Sequence, residues 1–309
     1  MTLHLRAPAK LNLALRVLGR RPDGYHELET LFERIDLADE LAFQPQPRGL
    51  TVTCDDPTLD CGPANLVTQA AALLQQTCRT AQGVAIHLTK LIPIAGGLGG
   101  GSSDAATTLI GLNRLWQLGL SRERVVELAA RLGSDVPFFL VEEAAFAIGR
   151  GRGERCEPLA GPLPTLWHVL VVPDARLSTK EIYEAFDRRE SVLTEPRASV
   201  TMGLHALRNG SLSELAKGLR NELEPEAIRR CPVIRDIQHA LRATECLAVL
   251  VSGSGPSVFG LCRDAAQAHQ VARMIRLRLP LDAGDGREDS PAAWRVLVVK
   301  TAEAHDHAR

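Results

Sequence analysis

The chain has 309 residues, of which 45% are hydrophobic and 24% are charged, and its formal net charge is −1. This composition is typical of a globular protein and excludes extensive disorder. A nearly neutral chain also lacks the basic field that holds nucleic acid, so we expect no nucleic-acid partner. Because single cores rarely exceed about 250 to 300 residues, we predict two domains with a cleft between them.

No apolar stretch is long enough to span a membrane, and residues 1–10 do not resemble a signal peptide. We therefore expect a cytoplasmic protein without a membrane partner. The seven cysteines are scattered and have no metal-binding spacing, so we interpret them as free thiols. Only Cys54 and Cys61 are close enough in sequence for a loop disulfide, which would contradict a cytoplasmic location.

Hydrophobic periodicity predicts a first domain that mixes strands and helices without strict alternation. A strand from Leu3 to Leu18 ends before the turn Arg21-Pro22-Asp23-Gly24. Further strands are predicted at 35–44, 50–54 and 84–91, and helices at 65–79, 102–118 and 121–132. Asn65 and Ser121 are the predicted N-caps of the first and third of these helices.

The segment 150–164 is rich in glycine, proline and charge, and it predicts a boundary between domains of residues 1–155 and 156–309. Beyond it, strands are predicted at 167–172, 247–251, 257–262 and 294–300. Helices are predicted at 179–189, at several places within 200–242, and at 264–277. A loop is expected around 285–291, and the tail 302–309 is expected to fray.

A glycine-rich run joins a predicted strand to a predicted helix and forms the predicted phosphate-binding loop. Glycine permits positive φ and close approach, so that backbone N–H groups can converge on an anion, and the helix N-terminus adds unpaired donors. Serine hydroxyls at its end can bind a phosphate oxygen or Mg²⁺. The residues of this loop are Pro93, Ile94, Ala95, Gly96, Gly97, Leu98, Gly99, Gly100, Gly101, Ser102 and Ser103.

A glycine-rich turn without a ligand is the alternative interpretation, which the density of glycines and the strand-to-helix setting oppose. The run is not a Walker A loop, because no Gly-Lys-Ser or Gly-Lys-Thr follows it. The Val-Ala-Ile-Lys, His-Arg-Asp and Asp-Phe-Gly sequences of protein kinases do not occur either. The charge of a bound phosphate must therefore be neutralised by a lysine from elsewhere or by Mg²⁺.

Three segments together resemble the motifs of the GHMP kinases, the family named for galactokinase, homoserine kinase, mevalonate kinase and phosphomevalonate kinase. They are residues 8–13, 93–105 and 251–260, in the family's order along the chain. The resemblance implies transfer of the γ-phosphate of ATP to an alcohol, with ATP and Mg²⁺ as cofactors. It also implies an α+β fold with an N-terminal mixed-sheet ATP-binding domain, a C-terminal ferredoxin-like domain, and the active site in the cleft between them.

The resemblance gives catalytic roles to Lys10 and Asp135. The Asp135 carboxylate would accept the proton of the substrate hydroxyl, while the Lys10 ammonium would orient Asp135 and stabilise the nascent alkoxide. In an alternative division of roles, Lys10 mainly lowers the pKa of the hydroxyl and Asp135 is a positioning acceptor. Without the resemblance, the two would be interpreted as a surface lysine and a turn aspartate.

Residues 21–28 and 133–139 resemble one branch of the family, whose small-molecule substrate is methylerythritol linked to cytidine diphosphate. By this resemblance the Tyr25 ring stacks on the pyrimidine, and His26 binds its polar edge. Tyr183 matches the position of a second aromatic wall. The alternatives are local hydrogen bonding for His26 and helix packing for Tyr183.

The remaining predicted substrate contacts are an amide and a second glycine turn. Asn12 shares a strand face with Lys10 at a spacing of two, and by resemblance it bonds the substrate hydroxyls; bonding to backbone is the alternative. Gly253, Ser254 and Gly255 by resemblance support the phosphates across the cleft, and a plain hairpin turn is the alternative. Asp104 would repel phosphate, and no role is assigned to it.

Two competing functions remain open. One is another kinase of the family, acting on mevalonate, homoserine or a sugar, which the Tyr25-His26 pair opposes. The other is a nucleotide-binding regulator without catalysis, which the retention of both Lys10 and Asp135 opposes. No residue is assigned as a metal ligand, and a monomer or weak homodimer is expected.

Overall fold

The computed structural model describes residues 1–141, 144–188, 199–278 and 294–303. The strands are β1 Leu3–Arg20, β2 His26–Gln46, β3 Leu50–Cys54, β4 Gly83–Thr89, β5 Phe146–Gly151, β6 Arg155–Pro158, β7 Trp167–Pro173, β8 Arg220–Asn221, β9 Ala248–Val251, β10 Val258–Cys262 and β11 Trp294–Lys300. The helices are α1 Leu66–Cys78, α2 Gly100–Leu115, α3 Arg122–Leu132, α4 Thr179–Asp187, α5 Ser199–Arg208, α6 Leu212–Gly218, α7 Glu224–Arg230, α8 Val233–Arg242 and α9 Ala265–Arg278, and a 3₁₀ helix covers Val136–Leu140. None of the described helices combines the length and the apolar character that crossing a bilayer requires.

The first sheet is built on a long antiparallel hairpin of β1 and β2. Its strand order is β3-β4-β2-β1-β8, and β5 pairs with both β2 and β6. Residues 7–15 of β1 are all buried, because α2 and α5 both pack against this strand. A strand covered on both faces has an almost continuous apolar sequence, so the polar Lys10 and Asn12 within it mark a special site.

Helix α2 holds the end of the glycine-rich run in the core of the first domain. It contacts α1, β1 and β2, and its residues 103–112 are buried. Small side chains such as Ala105 and Ala106 allow the close approach of β-strand and helix. The N-terminus of α2 is therefore fixed relative to β1, the strand that carries Lys10.

The second sheet is antiparallel, with the order β11-β7-β10-β9. These are the fourth, first, third and second strands of this sheet in chain order. This is the ferredoxin-like arrangement that the resemblance implies. Helices α8 and α9 pack on this sheet, and the amphipathic α8 buries Ile234, Ile237 and Leu241 at helical spacing.

The two sheets meet through an apolar cluster that contains buried residues of both, and through a buried polar contact within it. His168 Nε2 of β7 lies 2.8 Å from Glu33 Oε2 of β2, and both side chains are fully buried. The Thr301 hydroxyl donates to the other Glu33 oxygen over 2.7 Å. Because burying an unpaired carboxylate is costly, this contact favours one relative placement of the two sheets.

Most predicted elements are confirmed to within a few residues, including the side-chain N-caps Asn65 and Ser121. The strand predicted at 35–44 is longer than expected, because β2 already begins at His26, nine residues earlier. The prediction missed the β5–β6 hairpin, and β6 crosses the predicted boundary between residues 155 and 156, so that boundary stays a prediction. The expectation of a frayed tail from residue 302 is wrong at its start, because the Ala302 N–H donates to the Arg34 carbonyl over 2.8 Å. The loop expected at 285–291 and residues 304–309 lie outside the described residues.

Candidate active site

A cleft of about 1070 Å³ brings together the segments that the sequence marks as functional. The glycine-rich run, the middle and end of β1, the turn before β2 and the turn between β9 and β10 all line it. The predicted residues among its walls are Lys10, Asn12, Tyr25, His26, Pro93, Ile94, Ala95, Gly96, Gly97, Leu98, Gly99, Gly100, Gly101, Ser102, Asp135, Tyr183, Gly253, Ser254 and Gly255.

The glycine-rich run enters α2 through a left-handed residue. Gly99 is the N-cap of α2 with a φ of 73°, and the first helical bond is donated by the Ser103 N–H to the Gly99 carbonyl over 2.9 Å. The N–H groups of residues 100–102 precede that bond and therefore have no partner within the helix. Helix α2 begins two residues before the predicted start near Ser102. The N–H groups of Gly100 and Gly101 therefore also lie at the positive end of the helix dipole.

Gly97 brings the predicted phosphate loop against the second glycine turn. Its φ is 77°, and a methyl group added at this position would lie 2.5 Å from the Ser252 carbonyl oxygen. The Gly97 carbonyl accepts hydrogen bonds from Ser252 Oγ and Lys10 Nζ, each over 3.1 Å. The two glycine turns and the lysine therefore form one packed unit.

Lys10 and Asp135 face each other, with Lys10 Nζ 3.5 Å from Asp135 Oδ2. Lys10 is 3% exposed, so the alternative of a surface lysine is wrong. Its ammonium donates to Asn12 Oδ1 over 2.5 Å, and Asn12 Nδ2 donates to the Thr30 hydroxyl over 2.9 Å. Asp135 lies between α3 and the 3₁₀ helix, and its side chain is 34% exposed, so an incoming ligand can reach it.

Two aromatic rings stack against each other in the cleft, in the part that we call its aromatic end. The His26 and Tyr183 ring centroids are 4.8 Å apart, with an interplanar angle of 24°. His26 Nε2 lies 2.6 Å from Asp187 Oδ1, which fixes the ring and leaves Nδ1 as its other polar atom. Burial, and secondarily the charge of Asp135, raise the pKa of Tyr183, so its phenol stays neutral. Tyr25 is 52% exposed, and the Arg152 guanidinium lies 4.7 Å from its ring centroid.

The second glycine turn is held from behind by an amide. Asn221 Nδ2 donates to the carbonyls of Val251 and Gly253, over 2.9 and 2.6 Å. The Ser254 hydroxyl lies 2.9 Å from that of Thr179 at the start of α4. This turn is therefore tied to both α4 and β8, and it is more than a plain hairpin turn.

Comparison with known proteins agrees with this geometry. The family models described as GHMP kinases N terminal domain and GHMP kinases C terminal match residues 65–143 and 204–281. A 4-diphosphocytidyl-2-C-methyl-D-erythritol kinase of Pelotomaculum thermopropionicum is 43% identical over 277 residues, which cover 89% of this chain and 94% of that protein. The chain belongs to the GHMP kinase family. This GHMP kinase is accordingly an ATP-dependent phosphotransferase, as the motifs predicted.

Further relatives agree in both name and fold. A protein of Synechococcus sp. with the same name is 42% identical, over 88% of this chain and 89% of its own. A crystal structure of 4-(cytidine 5'-diphospho)-2C-methyl-D-erythritol kinase superposes with a TM-score of 0.77 at 36% identity, covering 97% of this chain and 100% of that one. Homoserine kinase of Cytophaga hutchinsonii gives a TM-score of 0.76 at 19% identity, covering 98% and 95%, which shows the shared fold alone.

Ser103 is the one predicted residue of this GHMP kinase's site that does not line the cleft. Its side chain is fully buried, and its N–H is used inside α2, so this placement does not support a role in binding phosphate. The cleft residues that the sequence interpretation missed include Lys90, Arg152, Thr179 and Asp187. Lys90 could have been recognised from the sequence, because it is a charged residue at the end of a predicted buried strand.

The resemblance implies Mg²⁺ as a cofactor, and its ligands would come from the residues that line the loop. Among the described residues, no group of three or more His, Cys, Asp or Glu side chains could hold a metal ion by itself. Ser102, at the N-terminus of α2, lines the cleft. Mg²⁺ usually takes only one or two protein oxygens in addition to phosphate and water, so the Ser102 hydroxyl would hold a Mg²⁺ ion that arrives with a nucleotide.

Proposed function

We propose that this GHMP kinase phosphorylates the 2-hydroxyl of 4-diphosphocytidyl-2-C-methyl-D-erythritol, a step of non-mevalonate isoprenoid precursor biosynthesis. The observation that carries the chemistry is the 3.5 Å contact between Lys10 Nζ and Asp135 Oδ2, beside the Gly97 carbonyl. The relatives of about 40% identity support the choice of substrate. We also propose that the enzyme acts in the cytoplasm, as a monomer or weak homodimer, and binds no nucleic acid.

In the proposed reaction the substrate hydroxyl lies between Asp135 and the phosphate loop. Its oxygen forms a bond to the γ-phosphorus as the bond to the β,γ-bridging oxygen breaks, and its proton passes to Asp135. The Lys10 ammonium, held by Asn12 and the Gly97 carbonyl, stabilises the negative charge that develops on the attacking oxygen. Mg²⁺, when bound, neutralises the phosphate charge.

The nucleobase end of the proposed substrate fits the aromatic end of the cleft. The exposed Tyr25 ring offers a stacking face, and Tyr183 and His26 form a second, already stacked wall. The ring nitrogen of His26 that does not face Asp187 can hydrogen-bond the polar edge of a pyrimidine. The Asn12 side chain is hydrogen-bonded to Lys10. The proposed contact between Asn12 and the substrate hydroxyls would therefore place these hydroxyls next to the Lys10 ammonium.

The direct test supplies ATP, Mg²⁺ and 4-diphosphocytidyl-2-C-methyl-D-erythritol and follows the product by ³¹P NMR. We expect a new phosphomonoester resonance with stoichiometric ADP. Mevalonate, homoserine and sugars serve as the comparison panel, and a higher kcat/KM for any of them would replace the proposed substrate. Binding of ATP with no turnover of any acceptor would instead favour a regulator that retains the fold without the chemistry.

Asp187→Asn is expected to raise KM for the cytidine substrate about tenfold and to leave KM for ATP within about twofold. It removes the charge-assisted hydrogen bond to His26 and, besides that, only a 3.9 Å ion pair with the exposed Arg20. Steady-state kinetics with each substrate varied in turn measures both values. Glu181→Gln makes the same chemical change on the exposed side of α4 and should alter neither. A larger rise in KM for ATP would contradict the placement of the cytidine group at His26.

A further inference from the structure

Three buried ionisable side chains lie together beneath the phosphate loop, and the reaction described above does not use them. Asp39 of β2 and Asp104 of α2 are 0% and 2% exposed, and the Lys90 side chain at the end of β4 is 6% exposed. Lys90 Nζ forms a short contact with Asp39 Oδ2 and lies 2.8 Å from Asp104 Oδ2. We call these three residues the loop anchor.

The loop anchor touches both ends of the phosphate loop. At the start, Asp39 Oδ1 accepts the N–H groups of Leu91 and Ile92 over 2.7 and 2.8 Å. At the end, Lys90 binds Asp104 in the first turns of α2, and a methyl group added at Gly100 would lie 3.5 Å from Lys90 Nζ. One carboxylate, that of Asp39, thus holds the loop entrance directly and the loop exit through the Lys90 ammonium.

The charges in the anchor depend on one another. Burial lowers the pKa of Lys90, but the two neighbouring carboxylates more than offset this and raise it, so the ammonium stays charged. Burial and the charge of Asp39 raise the pKa of Asp104 to about 7, although Lys90 opposes them. Removing one member of a buried ion pair leaves the other charge without a partner. A change at any of the three residues therefore loosens the contacts of the other two.

We propose that the Asp39–Lys90–Asp104 anchor is a positioning device that holds the phosphate loop in its binding geometry before the nucleotide arrives. A preordered loop keeps the free N–H groups of residues 100–102 pointing toward one anion, so ATP binding does not have to order them. This inference rests on the proposed ATP-binding role of the loop. It does not require Lys90 to touch ATP.

Asp39→Asn separates positioning from direct binding, because Lys90 and Asp104 line the cleft whereas Asp39 does not. An asparagine has one acceptor and one donor group at its end. Whichever way it turns, its amino group faces either the Lys90 ammonium or the N–H groups of residues 91 and 92, so one end of the loop is released. Glu40→Gln, the same chemical change at the exposed neighbour on β2, is the matched control.

The first measurement is hydrogen exchange of residues 91–105 in the nucleotide-free protein, which is independent of activity. We expect Asp39→Asn to speed exchange at residues 91–92 and at 103–105, the first hydrogen-bonded N–H groups of α2, by about tenfold, with α8 and α9 unchanged, and Glu40→Gln to match wild type. Calorimetric titration with ATP and Mg²⁺ should then show about tenfold weaker binding, and kcat at saturating ATP should change by less than about threefold.

Lys90→Met and Asp104→Asn complete the test. Both should weaken ATP binding and speed exchange at the two loop ends, and Asp104→Asn serves as the milder variant if Asp39→Asn does not fold. The proposal would be overturned if Lys90→Met weakened ATP binding while Asp39→Asn kept wild-type exchange and wild-type affinity. Lys90 would then be a direct ligand of ATP. If the exchange of the loop ends changed as expected but the protein bound no ATP, the structural role of the loop anchor would be supported and the proposed function would be refuted.

Discussion

Asp135→Asn is expected to lower kcat by about 10²- to 10⁴-fold while the Kd for ATP changes by less than about threefold, because the lost group acts on the acceptor proton. Asp135 contacts Lys10, whose ammonium keeps its bonds to Asn12 and to the Gly97 carbonyl when the carboxylate is neutralised. The phosphate loop should therefore stay in place. Single-turnover kinetics and calorimetric titration with ATP measure the two effects separately.

The control for this change is Glu127→Gln on the exposed face of α3, the helix that precedes the same turn, and it should leave both quantities unaltered. The pH dependence of the residual rate distinguishes the two divisions of roles that the sequence left open. If Asp135 accepts the proton, the rate of the asparagine variant should rise with pH as hydroxide replaces the missing base. Equal losses in kcat and ATP affinity would instead assign Asp135 a structural role.

The phosphate loop and its surroundings were predictable because their signals are local. A dense glycine run between a strand and a helix permits the positive φ and the close approach that a phosphate loop needs, and the side-chain caps at Asn65 and Ser121 mark helix starts within a few residues. The spacing of two between Lys10 and Asn12 correctly predicted a shared face, which the 2.5 Å bond between their side chains confirms. The start of α2 was misplaced because glycines do not favour helix, although Gly99 supplies a left-handed N-cap.

Contacts between distant segments were not predictable from one sequence. The β5–β6 hairpin is short and polar at its turn, so it resembles a linker until its pairing with β2 is seen. The loop anchor joins residues 39, 90 and 104 from three elements, and nothing local to Asp39 indicates that it binds the loop. Asp187 was missed for the same reason, since it meets His26 across 161 positions of chain.

The position of Tyr183 as a second aromatic wall was predicted by resemblance. The structure places its ring against His26 inside the cleft, so helix packing alone does not describe its position. The contact with a nucleobase stays a prediction, and the kinetic effect of Asp187→Asn tests the same end of the cleft.

Gly97→Ala is expected to weaken ATP binding at least about 100-fold, because it combines a backbone clash with a disfavoured φ. The added methyl group would lie 2.5 Å from the Ser252 carbonyl oxygen and 2.8 Å from that of Gly255, so the two glycine turns must separate. A residue with a Cβ at a φ of 77° also bears about 1–2 kcal/mol of strain. Separation would pull the Gly97 carbonyl away from Lys10 and Ser252, which disturbs the loop and the catalytic lysine together.

Gly119→Ala separates these two causes. Gly119 has a φ of 64°, and a methyl group there meets nothing within 4 Å, so this variant carries the backbone strain without the clash. We expect it to lose about 1 kcal/mol of unfolding free energy and to keep wild-type ATP affinity, because Gly119 lies between α2 and α3, outside the cleft. If Gly97→Ala bound ATP like Gly119→Ala, contact between the two glycine turns would not be needed for the phosphate site, and the loop would have to be held by its ends alone.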